Sequence, residues 1–255
     1  MKFLYYIITF SLLTSTVACK KDDPVPPVIL DPCQDTGPQD LQLQFRMLFN
    51  NEVFEINKSY QLNDTTYVSF REAKIYFSNI SLQKEGNLQK APEDVILIDV
   101  ETFDFPLGKF SPGTYTGLQV SLGVDSLRNH ADPLQYESRH PLGLQNPSMH
   151  WGWNQGYIFA LLEGNYSNNP ISSANPGDLW YYHIGMDGNF QVSDLMPLNY
   201  EVKACEPNTF KLSINMAGVF DDIDVFTENA GVTSDNFGLS YRIGTNLINS
   251  VNNEN

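Results

Sequence analysis

The densest chemical element in this chain is Met149-His150-Trp151-Gly152-Trp153-Asn154-Gln155-Gly156-Tyr157, which holds two of the three tryptophans beside a histidine. Neutral imidazole binds borderline transition metals, copper most tightly among the divalent first-row ions, and a thioether such as Met149 suits Cu(I). The other histidines are His130 and His140, in the same connecting stretch, and His183 within Leu179-Trp180-Tyr181-Tyr182-His183-Ile184. Other chemistries lack their residues. There is no G-x-S-x-G, no H-E-x-x-H, no P-loop, no G-x-G-x-x-G after a strand and no C-x-x-C-H. Acidic pairs such as Asp221-Asp222 read as solvated turns in so acidic a chain. By spacing alone, a histidine among aromatics can be a packed or capping residue as readily as a ligand.

The elements that must position these residues are strands. Leu41, Leu43, Phe45, Met47 and Phe49 alternate with polar residues, as a half-buried strand requires. Residues 73–82, 94–100, 113–123, 157–162, 179–184 and 210–216 are similarly rich in β-branched and aromatic residues. Seven or eight short strands divided by Gly, Pro and Asn turns predict an all-β fold, an antiparallel β-sandwich or barrel. Leu239, Ile243 and Leu247 recur at helical spacing and predict a short C-terminal helix, and 249–255 reads as frayed. Residues 124–155 join two strands without a strand of their own. A connection that long is usually functional or disordered, and this one is aromatic and histidine-rich.

Composition bounds the rest. The 255 residues carry 30 acidic and 15 basic side chains, a net charge of −15, and 42% are hydrophobic. That is apolar enough for a core, and the acidic excess argues against nucleic-acid partners, whose affinity rests on Lys and Arg. Residues 1–18 read as a secretory signal peptide: Lys2, an apolar run, then small residues before Cys19. Thr16-Val17-Ala18-Cys19 resembles a lipobox, so Cys19 is expected to be lipidated, giving an outer-membrane lipoprotein that faces the periplasm or the cell surface. Residues 19–38 hold Pro24, Pro26, Pro27 and Pro32 and read as a tether to a domain over 39–250. Cys33 and Cys205 remain. In an oxidising envelope they are expected to form one disulfide, the alternative being two separate thiols.

Four blocks in order, Tyr76–Leu82 (YFSNISL), Gly113–Val124 (GTYTGLQVSLGV), Met149–Gly164 (MHWGWNQGYIFALLEG) and Tyr182–Gly185 (YHIG), resemble the MbnP-like family, copper-binding envelope proteins named after a methanobactin-operon protein. The resemblance spans roughly residues 40–250, and its most specific part is the H-W-x-W-x-x-G-Y block. It implies a non-catalytic β-sandwich that binds copper, with His150 and His183 as ligands and Trp151 or Trp153 oxidised to kynurenine by a di-haem, peroxidase-like partner. Ile184 stands where the family's His-Leu-Gly has leucine.

A geometric demand follows. If residues 157–162 and 179–184 form a hairpin, His183 falls opposite the middle of the first strand, while His150 precedes that strand. A shared copper then requires the 150–156 segment to fold back, which Gly152 and Gly156 would permit. His130 and His140 are alternative third ligands. From another functional class, Trp151, Trp153, Tyr157 and Trp180 could form a stacking platform for a glycan or peptide. A third possibility is hydrolysis by carboxylates on the long loops.

Overall fold

The computed structural model describes residues 37–101, 104–152 and 154–254. The expected signal peptide, the tether up to residue 36, Cys19, Cys33 and Trp153 lie outside the described residues.

Two sheets pack face to face. The smaller is built around the strand Gln39–Phe49, whose Leu41, Leu43, Phe45, Met47 and Phe49 are all buried, as their alternation requires. This strand runs parallel to Asn208–Asn215, from Leu41 opposite Asn208 to Leu48 opposite Asn215, and antiparallel to Asp104–Phe110. The larger sheet is centred on Thr66–Lys84. That strand pairs antiparallel with Gly113–Leu122 and with Ile158–Ser167, and Ile158–Ser167 pairs in turn with Asp178–Gly185. Aromatics fill the space between the sheets. Phe45 stacks on Phe77 at 5.2 Å, and Phe70 meets Trp180 edge-on at 4.9 Å.

The all-β sandwich and the helix, Phe237–Asn249, match the sequence reading. Asn236 caps the helix by accepting from the Leu239 N–H at 3.2 Å, and Leu239, Ile243 and Leu247 join the main core. Three details differ. The sheets are not wholly antiparallel, because Gln39–Phe49 with Asn208–Asn215, and Asp178–Gly185 with Ala230–Val232, are parallel. The strand Asp104–Phe110 lies outside the segments picked out by alternation, and its Pro106 falls beside a bulge, where a missing N–H is tolerated. The tail is not frayed. Val251–Asn253 pairs with Leu212–Ile214, and Glu254 pairs with Arg46, so the domain runs past residue 250.

The stretch between Leu122 and Ile158 holds no extended strand among its described residues and lies over the outer face of the larger sheet. It builds a second, smaller core there: Val124, Leu142, Met149 and Tyr157 pack with Tyr76, Leu97, Phe159 and Leu161 from the sheet. Hydrogen bonds fasten it. The Tyr76 hydroxyl donates to Pro141 O at 2.6 Å, the Tyr157 hydroxyl to Leu142 O at 2.6 Å, and Lys74 Nζ to Asn146 O at 2.7 Å. At the head of the stretch, Arg128 grips Asp94 through two nitrogens at 2.9 and 3.1 Å and also reaches Asn79. The connection is therefore an ordered cover.

Candidate metal centre

The 149–158 segment folds back on itself. His150 bridges Tyr157 in antiparallel fashion, the Ile158 N–H donates to Met149 O at 2.8 Å, and the Trp151 N–H donates to Gly156 O at 2.9 Å. Gly152 (φ +117°) and Gly156 (φ +73°) both sit in the left-handed region, where a Cβ is strained. At Gly156 a side chain is also excluded by space, since its Cβ would lie 2.3 Å from Asn129 Oδ1. Buried Asn129 uses that oxygen to accept the Tyr157 N–H at 2.7 Å.

In the hairpin, His183 lies opposite Leu161 and Tyr181 opposite Glu163. Side chains alternate along each strand, so Leu161, Glu163, Tyr181 and His183 share the outer face. The returning segment brings His150 to the same place. His150, Trp151, Glu72, Glu163 and His183 line one open cleft of about 550 Å³.

The two imidazoles differ in their surroundings. His150 Nδ1 accepts the Gly152 N–H at 3.1 Å, its ring meets Tyr157 edge-on at 4.8 Å, and its Nε2 is buried without a hydrogen-bond partner. Burial pushes the His150 pKa down, which favours the neutral ring, the form that binds metal. His183 Nε2 instead meets Glu163 Oε1 at 2.9 Å. Burial pushes the carboxyl of neighbouring Glu72 upward. Trp151 is half-buried and lies over Gly185: a Cβ there would come within 2.5 Å of the Trp151 ring and 2.7 Å of Tyr157 O. The glycine of His-x-Gly and the tryptophan of the H-W element are thus one contact.

The other sequence candidates fall elsewhere. His130 Nε2 is 3.2 Å from Asp187 Oδ2. His140 stacks on Tyr136 at 4.4 Å and accepts the Leu142 N–H at 3.0 Å. Neither lines the cleft. The aromatic platform is not assembled, because Trp180 and Tyr157 are core residues at 0% and 1% exposure. Trp180 Nε1 donates into the sheet, to Asn165 O at 3.1 Å. Met149 is also buried, in the smaller core. Cys205 is exposed at φ +62°, its N–H donating to Gln39 Oε1 at 3.0 Å. Sequence reasoning missed Glu72 and Glu163. Registering the two strands would have found Glu163, the lone charge in YIFALLEG and two residues along the face from Leu161.

The cleft's donors suit a borderline cation: two imidazoles, one with an orphaned buried nitrogen, beside two carboxylates. They are not a closed cage. Among the described residues, no group of three or more His, Cys, Asp or Glu side chains is close enough to hold a metal ion. With Nδ1 accepting from Gly152, the His150 proton sits on Nε2. Ligation through Nε2 therefore requires that proton to leave and the Gly152 contact to be given up, at a cost of about 1 kcal/mol.

Comparison with known proteins gives a consistent picture. The MbnP family model matches residues 38–235. No curated protein matches the chain. Among solved structures, MbnP from Methylosinus trichosporium is similar, with a TM-score of 0.51 and 17% identity over 72% of this chain and 78% of that one. At that identity the likeness is one of fold.

Proposed function

The chain belongs to the MbnP family, and from that premise we propose that it is a non-catalytic, copper-binding envelope lipoprotein with His150 and His183 as its protein ligands. The observation that carries this reading is that two imidazoles from separate elements line one cleft, beside Trp151. Copper would be held by imidazole nitrogen at about 2 Å, so the fold-back at Gly152 and the hairpin register both bear on affinity. The protein's own contribution is to keep His150 neutral and to cover the sheet face so that an indole stands beside the ion. Trp151, which lines the cleft, is one candidate for oxidation to kynurenine by a di-haem, peroxidase-like partner, with Trp153 as the other.

Lipidation at Cys19 would place the protein on the outer membrane, at the end of the tether. The proposed Cys33–Cys205 bridge is favoured by the Cys205 N–H bond to Gln39, close after Cys33 in sequence. The test is direct. Protein loaded with Cu(II) and freed of excess is expected to retain stoichiometric copper, and His150→Ala and His183→Ala are each expected to lose most of it. Wild-type protein without copper, or variants that retain it fully, would overturn the reading. Intact mass reads the oxidation, since kynurenine replaces one ring carbon by an oxygen and adds about 4 Da. Fractionation of Cys19→Ala cells reads the anchor, with release from the membrane expected.

A further inference from the structure

We propose that Glu163, held by Arg71, is the positioning residue that selects which nitrogen of His183 is offered to the metal. The inference rests on the copper reading above and adds residues and an atom to it. An ionised carboxylate only accepts hydrogen bonds, so the 2.9 Å contact between His183 Nε2 and Glu163 Oε1 places the ring proton on Nε2. Nδ1 is then the nitrogen with a lone pair to give. This arrangement, a ligand imidazole donating its far N–H to a carboxylate, fixes the tautomer, orients the ring and raises ligand basicity.

The backbone is shaped for this contact. His183 and Glu163 are diagonal neighbours on one face of the hairpin, where Leu161 pairs with His183 and Glu163 with Tyr181. On the other flank of Ile158–Ser167, the ladder with Thr66–Lys84 bulges: Phe70 pairs with Gly164 and Glu72 with Glu163, leaving Arg71 as the extra residue. Its guanidinium lies 3.6 Å from Glu163 Oε2. The carboxylate is thus held at one oxygen by a cation and at the other by His183. Arg71 also offsets the negative charge that Glu72 and Glu163 bring to the cleft. Without the bulge, Arg71 would take a regular place in the strand's alternation.

The experiment uses the full chain loaded with one equivalent of Cu(II), a paramagnetic probe. Affinity is measured by chelator competition, and the far imidazole nitrogen is read by electron spin-echo envelope modulation, whose quadrupole frequencies respond to the hydrogen bond at that N–H. Glu163→Gln keeps an acceptor oxygen but removes the charge. It is expected to weaken copper binding 10- to 100-fold and to shift the far-nitrogen frequencies, with the melting temperature unchanged. Arg71→Ala is expected to shift both in the same direction by less. Wild-type affinity in Glu163→Gln, or weakened affinity with unaltered far-nitrogen frequencies, overturns the assignment. The two layers separate cleanly. Copper lost from His183→Ala but unaffected by Glu163→Gln sinks the role of Glu163 alone. Copper indifferent to His150→Ala and His183→Ala sinks the metal reading itself.

Discussion

At Gly185 there is no room for a methyl group: it would stand 2.5 Å from the Trp151 ring and 2.7 Å from a backbone oxygen. Gly185→Ala is therefore expected to push Trp151 off its seat and to destabilise the protein by about 1–3 kcal/mol. Denaturant unfolding checks the second effect, and a changed tryptophan emission spectrum checks the first. The same pair of residues shows what could be read in advance. Both motif fragments, H-W-x-W-x-x-G-Y and His-x-Gly, were visible as residue types, and so were His150 and His183. That Trp151 lies on Gly185 was not visible, because it depends on how a returning loop registers against a hairpin. Glu163 escaped for the same reason. A single glutamate in an apolar run looks like any solvent-facing position until its strand is paired with the one bearing His183.

At the scale of elements, the covering stretch between the strands Gly113–Leu122 and Ile158–Ser167 decides whether His150 stays near His183. Its head is fastened by Arg128, whose guanidinium binds Asp94 and Asn79, and Lys90 also reaches Asp94. Burial alone would raise the Asp94 carboxyl, but the hydrogen bonds from Arg128 and Lys90 outweigh it and hold its pKa below the usual carboxylate range. The sign of the pH dependence follows. A depressed folded pKa contributes stability above the unfolded value, near 3.8, and that contribution disappears as pH falls through the folded value. Acidification below about pH 4 is expected to loosen the cover before the sandwich unfolds. Hydrogen exchange of the Asn129 and Tyr157 amides would show it, and equal protection of those amides and the central strands would refute it. Asp94→Asn is expected to cost about 1–3 kcal/mol at neutral pH, since hydrogen bonds to a charged group are lost, and to flatten the acid transition. The sequence disclosed the length and aromatic character of this stretch. It did not disclose which residues tie it down, because Arg128 and Asp94 meet only after the larger sheet has formed.

On the scale of the whole molecule, the alternating strands were legible wherever one face is buried and the other wet, as in Gln39–Phe49. Strand partners were less so. Asn208–Asn215 lies parallel beside the first strand, a pairing that no local pattern encodes, and the final Val251–Asn253 strand is too short and polar to announce itself. Deleting residues 250–255 is expected to lower stability by about 3 kcal/mol, from exposing Val251 and its neighbours and losing ladder hydrogen bonds. Thermal or urea unfolding of the shortened protein measures it, and an unchanged midpoint would show the tail to be dispensable. The smaller sheet draws on residues 39–53, 104–110, 208–215 and 251–253, so its members are separated by nearly the full length of the polypeptide. Such pairings form slowly, because distant segments must find each other before any contact rewards the search. The strand Gln39–Phe49 must therefore wait until residues 208–215 have been synthesised before it gains its parallel partner, so a strand near the start of the domain is among the last to be fully paired.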